Sequence, residues 1–307
     1  MKTSKKKTIL ITGSGGMVGS LFVKFFASKG YSIIGLYNEQ EHAVDTEHTS
    51  GIVYADISSR VSVNKIKKKF KHIDCIIHCA GMTNVNECEE NKKGCRLANI
   101  EGTRHMTELA KSYDAQIIFF STPMVFSGTR GNYHEIDKTS PINFYGKTKV
   151  AGENIILKYE KGLVLRMNPI GVRPTGAHPS FVQWFYEAAK NDKSFTLFSD
   201  VWINPISTQT LAGVIEELIK SSGTGILHVG SLDRVNKADI WKIIVAKFSK
   251  FSGKVSKAPV EKTKTASIAR RPKEMWLNVD NIQKTYGITM PQWQKEIVIV
   301  LNQLSKL

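Results

Sequence analysis

The sequence predicts an α/β protein: an open, Rossmann-type doubly wound parallel sheet flanked by helices, followed by a smaller C-terminal lobe. Short β-branched runs alternate with helix-period segments through the first two-thirds of the 307 residues, the pattern of a sheet wrapped by helices. Runs such as Ile117-Ile118-Phe119-Phe120 are apolar without alternation, as strands buried on both faces require. The first run leads into a glycine turn and a helix start, the order that opens a dinucleotide-binding unit.

Taken in order, strands are expected at Thr8–Thr12, Ser32–Leu36, Ile52–Tyr54, Cys75–His78, Gln116–Ser121 and Leu163–Arg166. Helices are expected between them at Gly16–Ser28, Val61–Phe70, Leu97–Ser112 and Asn143–Tyr159. Beyond Arg166 the rhythm changes. Asn168 to Pro179 carries three prolines and two glycines and reads as a loop. Helices follow near Phe181–Ala189, Thr208–Ser221, Lys237–Phe248 and Gln292–Leu304, with one strand at Ile226–Val229. Residues 1–166 are therefore assigned to a nucleotide-binding domain. Residues 167–307 are assigned mainly to a substrate lobe, with some segments returning to the first domain. Such a lobe would cover the carboxyl ends of the strands, where open α/β sheets bind ligands.

Composition narrows the function classes. The hydrophobic content of 41% is ordinary for a chain that buries a full core. No apolar run approaches the roughly 18 to 20 residues that span a bilayer. The basic start Met1-Lys2-Thr3-Ser4-Lys5-Lys6-Lys7 is followed by an apolar stretch too short for a signal peptide, so a cytoplasmic protein without a membrane partner is expected. The four cysteines lack zinc-site spacing, and reduced structural thiols and no metal are the expectation. The net charge of +16 would attract anions. Its lysines are spread along the chain with no nucleic-acid-binding motif, which favours a nucleotide cofactor and an anionic small molecule over nucleic acid.

The stretch Thr12-Gly13-Ser14-Gly15-Gly16-Met17-Val18-Gly19 places Gly13, Gly16 and Gly19 three residues apart. That spacing gives a tight turn, backbone approach to a pyrophosphate and close helix–strand packing, while the helix start offers free N–H groups to the phosphates. The position at the end of the second strand, where an acid would hold a ribose 2′-hydroxyl, falls on Tyr37, followed by Asn38 and Glu39. An acid there would repel a 2′-phosphate and Tyr37 would not, yet no arginine or lysine follows at once. NADP(H) is slightly favoured and NAD(H) stays open. Asp56, with Ile57, is a candidate for the adenine edge, or simply an acid near a helix N-cap.

Tyr145 and Lys149 lie one helical turn apart on a common face. The lysine charge would lower the tyrosine pKa and hold the cofactor ribose, and the phenol would pass a proton to a carbonyl oxygen. Tyr186 and Lys190 share the spacing, but they lie beyond the parallel strands on an amphipathic segment. Thr122, at the end of the fifth predicted strand, supplies a hydroxyl for the same oxygen.

With these residues in place, the chain resembles the extended short-chain dehydrogenases, and within them the dTDP-4-dehydrorhamnose reductase family. The resemblance runs nearly end to end: Thr12-Gly13-x-x-Gly16-x-x-Gly19, His78-Cys79-Ala80-Gly81-Met82-Thr83-Asn84-Val85, Cys88-Glu89, Asn99-Ile100-Glu101-Gly102-Thr103 and Ser121-Thr122-x-x-Val125-Phe126. It continues through Pro141 to Lys149, Gly152-Glu153, Arg271-Pro272, Leu277 and Tyr286-Gly287-Ile288. It implies Thr122, Tyr145 and Lys149 as the catalytic set of an NAD(P)H-dependent reductase acting on the ketone of a nucleotide-linked 4-keto-6-deoxy sugar. It further implies cofactor contacts from Cys79, Ala80 and Gly81, support from Asn99, and Asn168-Pro169-Ile170 beside the nicotinamide. Thr83, Val85, Met124, Trp202, Arg271, the loop after Arg173 and the Asp200–Pro205 segment would shape the sugar-nucleotide site. The resemblance leaves a homodimer open and makes His78 a strand-end residue, not a base.

Departures from the family pattern bear on the substrate. Pro123-Met124 stands where the reductases have Asp-Tyr, and Asp200-Val201-Trp202-Ile203-Asn204-Pro205-Ile206-Ser207 replaces Asp-Gln-x-Gly-x-Pro-Thr. A dehydratase would need an Asp-Glu pair after the threonine, which Pro123-Met124 cannot supply. An epimerase holding NAD tightly and a non-catalytic, NADP-binding regulatory subunit remain as alternatives.

Overall fold

The computed structural model describes residues 6–38, 44–174, 179–248, 250–262 and 268–306. Glu39, the first residues of the basic start and most of the loop after Arg173 lie outside the described residues. The main sheet is parallel, built from β1 (Thr8–Thr12), β2 (Ser32–Tyr37), β3 (Gly51–Tyr54), β4 (Cys75–His78), β5 (Gln116–Ser121), β6 (Gly162–Ile170) and β10 (Gly225–Val229), in the order β10-β6-β5-β4-β1-β2-β3. The strand order reverses between β1 and β4, so the crevice lies at the carboxyl ends of those two strands, where ligands bind in this architecture.

Two apolar layers cover the sheet. On one face α1 (Met17–Ser28) and α8 (Thr208–Lys220) pack Phe22, Val23, Phe26, Leu211 and Ile215 onto Ile9, Ile11 and Ile118. On the other, α2 (Arg60–Lys69), α5 (Gly102–Tyr113) and α6 (Phe144–Ile156) bring Val63, Ile66, Met106, Leu109 and Ile156 against Leu10, Ile76 and Phe119. Side chains from the same strands alternate between the two layers, which is why the runs are apolar throughout.

The third core belongs to the lobe. There α7 (Phe181–Lys190), α9 (Lys237–Val245) and α11 (Trp293–Leu304) enclose Val182, Phe185, Ile240, Ile244, Ile297 and Leu301. The Trp241 ring meets Phe195 at 4.9 Å and Phe251 at 5.2 Å edge to face, a favourable arrangement.

Several expected elements differ in form. The Leu97–Ser112 helix is interrupted: α3 (Val85–Glu90) and α4 (Lys92–Arg96) lead into a π-helical turn at Leu97–Glu101 before α5. Arg166 lies inside β6, which continues to Ile170 because Asn168–Ile170 pairs with β9 (Pro205–Ser207). The lobe also has strands of its own. β7 (Phe195–Phe198) pairs with β12 (Val255–Ala258), and β8 (Trp202–Ile203) lies between β11 (Val235–Asn236) and β13 (Glu274–Met275). These pairs are too short to leave a periodic signal, and their partners are far apart in sequence. α10 (Asp280–Tyr286), closed by Gly287 with φ +66°, returns to the sheet, where Ile282 joins the core shared by α1 and α8. No described helix is long and apolar enough to cross a membrane.

Candidate active site

The floor of the crevice is the turn after β1. Gly13 has φ +64°, and a Cβ there would lie 3.1 Å from the Ala80 backbone, so this turn and the β4 loop touch. At Gly19 a Cβ would meet the Gly13 carbonyl oxygen at 2.2 Å; only glycine lets α1 pack this close to the turn. Gly16 caps α1 without a side-chain hydrogen bond, and the first turn, starting at Met17 and Val18, holds no acid. The exposed N–H groups and the positive dipole end therefore fit a pyrophosphate.

The β4 loop is fixed from below. Thr12 Oγ1 accepts the Ala80 N–H at 2.9 Å and lies 2.9 Å from His78 Nδ1. Thr103 Oγ1 donates to the Asn99 carbonyl at 2.7 Å and so accepts Nε2–H at 3.3 Å, which leaves Nδ1 to accept from the Thr12 hydroxyl. Burial pushes the His78 pKa down to about 3, so the ring is neutral and structural. Asn99, on the π turn, accepts the Met82 N–H at 2.8 Å and donates to the Met82 carbonyl at 2.9 Å and to Thr148 Oγ1 at 3.0 Å. A Cβ on Gly81 would come within 2.8 Å of Asn99 Oδ1. The π turn brings the amide against the loop carrying Cys79, Ala80 and Gly81.

The catalytic candidates converge at the end of β5. Thr122 opens a 3₁₀ turn at Pro123–Val125 and caps it, accepting the Met124 N–H at 3.2 Å. Tyr145 lies in the first turn of α6, whose N-cap Asn143 accepts the Gly146 N–H at 2.8 Å and donates to the Arg270 carbonyl at 2.9 Å. At Gly146 a Cβ would lie 2.3 Å from the Met124 carbonyl, so glycine lets the helix press onto the turn and brings Tyr145 into hydrogen-bond range of Thr122. Lys149 donates to the Phe120 carbonyl at 2.9 Å and its ammonium lies 5.9 Å from the Tyr145 ring centroid. Glu153 and Arg166 pair bidentately at 2.9 and 2.7 Å, each 3% exposed, and Ser121 donates to the same carboxylate at 2.5 Å. That buried pair locks α6 to β5 and β6.

Electrostatics correct one expectation. The Tyr145 pKa is not lowered overall in this fold; burial dominates and raises it, opposed in part by Thr122. The phenol is therefore held protonated, the form that can give up a proton. Burial also lowers Lys149 to about 8. All four cysteines are free thiols; Cys88 donates to the Met82 carbonyl at 3.6 Å and packs with Cys95 and Tyr145 in one cluster.

Other predicted residues scatter. Val85 and Met124 pack around Tyr145, and Thr83 is exposed on the same loop. Arg271 reaches Asn86 Oδ1 at 2.8 Å. Tyr37 is a correction: its side chain is fully buried and its hydroxyl accepts the Asp45 N–H, so only its backbone is at the strand end. Asp56 is exposed but accepts from Ser58 N and Oγ, each at 2.8 Å, closing a turn ahead of α2. Ile57 is buried, with its carbonyl facing His105 Nδ1. Asn168 donates to the Met275 carbonyl at 2.9 Å, and Ile170 is buried in the lobe core. Trp202 is taken by Arg234, whose guanidinium sits 4.5 Å from its ring centroid and 5.4 Å from that of Trp276. Tyr186 packs edge to face on Phe248 at 5.2 Å, in the lobe. Gly146 and Asn143 lay within the motif without being singled out; only contact with the Met124 turn and the Arg270 carbonyl gives them a role.

Comparison with known proteins agrees with this picture. The family model described as RmlD substrate binding domain matches residues 7–306. A protein of Haloferax volcanii named as a probable low-salt glycan biosynthesis reductase is 26% identical over 294 residues, covering 94% of this chain and 95% of its own length. The dTDP-4-dehydrorhamnose reductase of Escherichia coli is 24% identical over 308 residues, covering 96% and 97%. Among solved structures, a dTDP-4-dehydrorhamnose reductase of Bacillus anthracis in complex with NADP superposes with TM-score 0.84 at 23% identity, covering 97% of this chain and 100% of the other.

Proposed function

The chain belongs to the RmlD substrate-binding family, and from that premise we propose that it is an NAD(P)H-dependent reductase of a nucleotide-linked 4-keto-6-deoxy sugar. The observation that carries the reading is the convergence of Thr122, Tyr145 and Lys149 at the end of β5, beside a glycine cradle that fits a dinucleotide pyrophosphate. Relatives named as dTDP-4-dehydrorhamnose reductases and as a glycan biosynthesis reductase support the substrate class.

A nicotinamide dinucleotide bound in the cradle supplies the hydride. The chain supplies everything else. Tyr145, held neutral by burial, gives its phenol proton to the ketone oxygen as that oxygen gains charge, a role worth about 10²–10⁴-fold in rate. Thr122 donates a second hydrogen bond to the same oxygen. The ammonium of Lys149, fixed on the Phe120 carbonyl, faces the phenolate that remains and stabilises it. The Glu153–Arg166 pair keeps the helix carrying both groups from shifting. Pro123-Met124 offers no carboxylate for water elimination. The substrate is then the nucleotide sugar, and the enzyme works in the cytoplasm without nucleic acid or membrane as partner. NADPH is the slightly preferred donor over NADH.

The test is absorbance decay of NADPH and NADH with enzymatically generated nucleotide 4-keto-6-deoxy sugars. Stoichiometric loss with one sugar is expected. A sugar isomer formed without cofactor consumption would make the protein an epimerase, and no product despite cofactor binding would make it a regulatory subunit.

A further inference from the structure

Two of the cysteines meet in polar surroundings. Cys88 lies on α3 and Cys95 on α4, on either side of the corner at Asn91, and both are buried. Cys88 Sγ donates to the Met82 carbonyl at 3.6 Å. Asn99 Nδ2 reaches the same carbonyl at 2.9 Å and Cys95 Sγ at 3.4 Å. Cys95 Sγ also lies 3.7 Å from Thr148 Oγ1. Two sulfurs from adjacent helices therefore converge on one amide–carbonyl pair, within the cluster that holds Tyr145. Cys75 differs: it packs with Ile9 and Phe22 in an apolar layer, and burial pushes its thiol up. A structural cysteine behaves as a small hydrophobe of that kind.

Cys95 has the features of an attacking thiol. The Cys88 thiol beside it does most to lower its pKa, against the opposing effect of burial, and the Thr148 hydroxyl and Lys149 charge add to it. The Asn99 amide, with this sulfur as its acceptor, favours the thiolate too. The thiolate is the reactive form. Cys88 is raised, chiefly by Cys95 and then by burial, so it keeps its proton until the neighbouring sulfur is oxidised. An activated thiol poised beside a second thiol is the arrangement of a redox pair.

We propose that Cys88 and Cys95 form a reversible dithiol switch, closed to a disulfide by a peroxide, that loosens the cofactor loop and the proton donor together. The Cys95 thiolate attacks a peroxide oxygen: the S–O bond forms, the O–O bond breaks, and the hydroxide that leaves takes up the thiol proton as water. Cys88 then attacks the sulfenic sulfur: the S–S bond forms, the S–O bond breaks, and a second water leaves with the Cys88 proton. Two thiols lose two electrons and two hydrogens, and the peroxide gains them. The consequence follows from the hydrogen bonds. Cys88 no longer donates to Met82, which follows the Cys79–Gly81 loop, and Cys95 is drawn from Asn99 and Thr148. Thr148 in turn donates to the Tyr145 carbonyl at 2.7 Å. The effect on turnover rests on the function proposed above; the disulfide itself does not.

The experiment is a hydrogen peroxide titration of the full chain, stopped with catalase and followed by peptide mapping, NADPH fluorescence titration and turnover. A linked Cys88–Cys95 peptide, lighter by two hydrogens, is expected. NADPH should bind about tenfold more weakly, the loss of about one hydrogen bond at the loop. The rate should fall about 100-fold, the cost of a displacement of about 1 Å. Dithiothreitol should restore all three. Each variant is compared with its own untreated sample. Cys95→Ala should lose the response and Cys75→Ala should keep it. Cys88→Ala, without the resolving thiol, should go on to the sulfinic acid, which dithiothreitol does not reverse. Peroxide inactivation without that linkage, a response that survives in Cys95→Ala, or a linkage that leaves NADPH affinity and rate unchanged would overturn the switch. If the wild type reduces no nucleotide sugar, the functional reading fails by itself, and the mapped disulfide with the NADPH titration still decides the switch.

Discussion

Where the sheet forms the cleft, the chain presents mostly backbone: Gly13 at φ +64°, Gly19 against the Gly13 carbonyl and the bare start of α1. On the lobe side the chain presents side chains, such as Arg271 tied to Asn86. The difference follows from what each side must recognise. A pyrophosphate common to all dinucleotides is read by N–H groups and a dipole, which tolerate little change. A particular sugar nucleotide is read by side chains, which change without disturbing the sheet. Substitutions on the sheet side should therefore act on kcat, cofactor binding and folding, and those on the lobe side on KM.

The strongest test of that division is Tyr145→Phe, which deletes only the proton donor. Turnover should fall about 10²–10⁴-fold with KM and cofactor affinity little changed; an unaltered rate removes Tyr145 from the chemistry. Next comes Glu153→Ala, which strands the Arg166 guanidinium in a site 3% exposed. Breaking one side of such a pair costs about 3–5 kcal/mol, read as a lower denaturant midpoint, and the rate should drop with it if the pair positions α6. Gly19→Ala forces the turn away from α1 and should cost about 1–3 kcal/mol of stability, with weaker NADPH binding in a fluorescence titration. Intact cofactor affinity in that variant would mean that the cradle does not hold the pyrophosphate. The smallest effect belongs to Trp202→Ala. Since that ring is covered by Arg234, KM should move by less than about threefold, within the range of a surface change. A tenfold rise would restore Trp202 as a sugar contact and blur the division between the two sides.

Legibility follows the same line. The strands Cys75–His78 and Gln116–Ser121 are found at their expected limits, and α1 starts one residue inside its expected helix. Apolar runs, helix periods and glycine turns are local signals. Tyr37 fell at the expected strand end, yet its ring folds beneath Asp45, a contact that strand counting does not see.

By itself, the sequence determined the parallel sheet, the phosphate turn and the Tyr145–Lys149 spacing, because each depends on residues within a turn or two of one another. Tertiary structure alone decided that Gly146 must be glycine beneath the Met124 carbonyl, that burial keeps Tyr145 protonated, and that Trp202 faces Arg234. It also set Phe181 and Phe198 around Lys237, drawing together segments that sequence separates by dozens of residues. Burial and long-range packing belong to the assembled molecule, and a pattern along the chain carries neither.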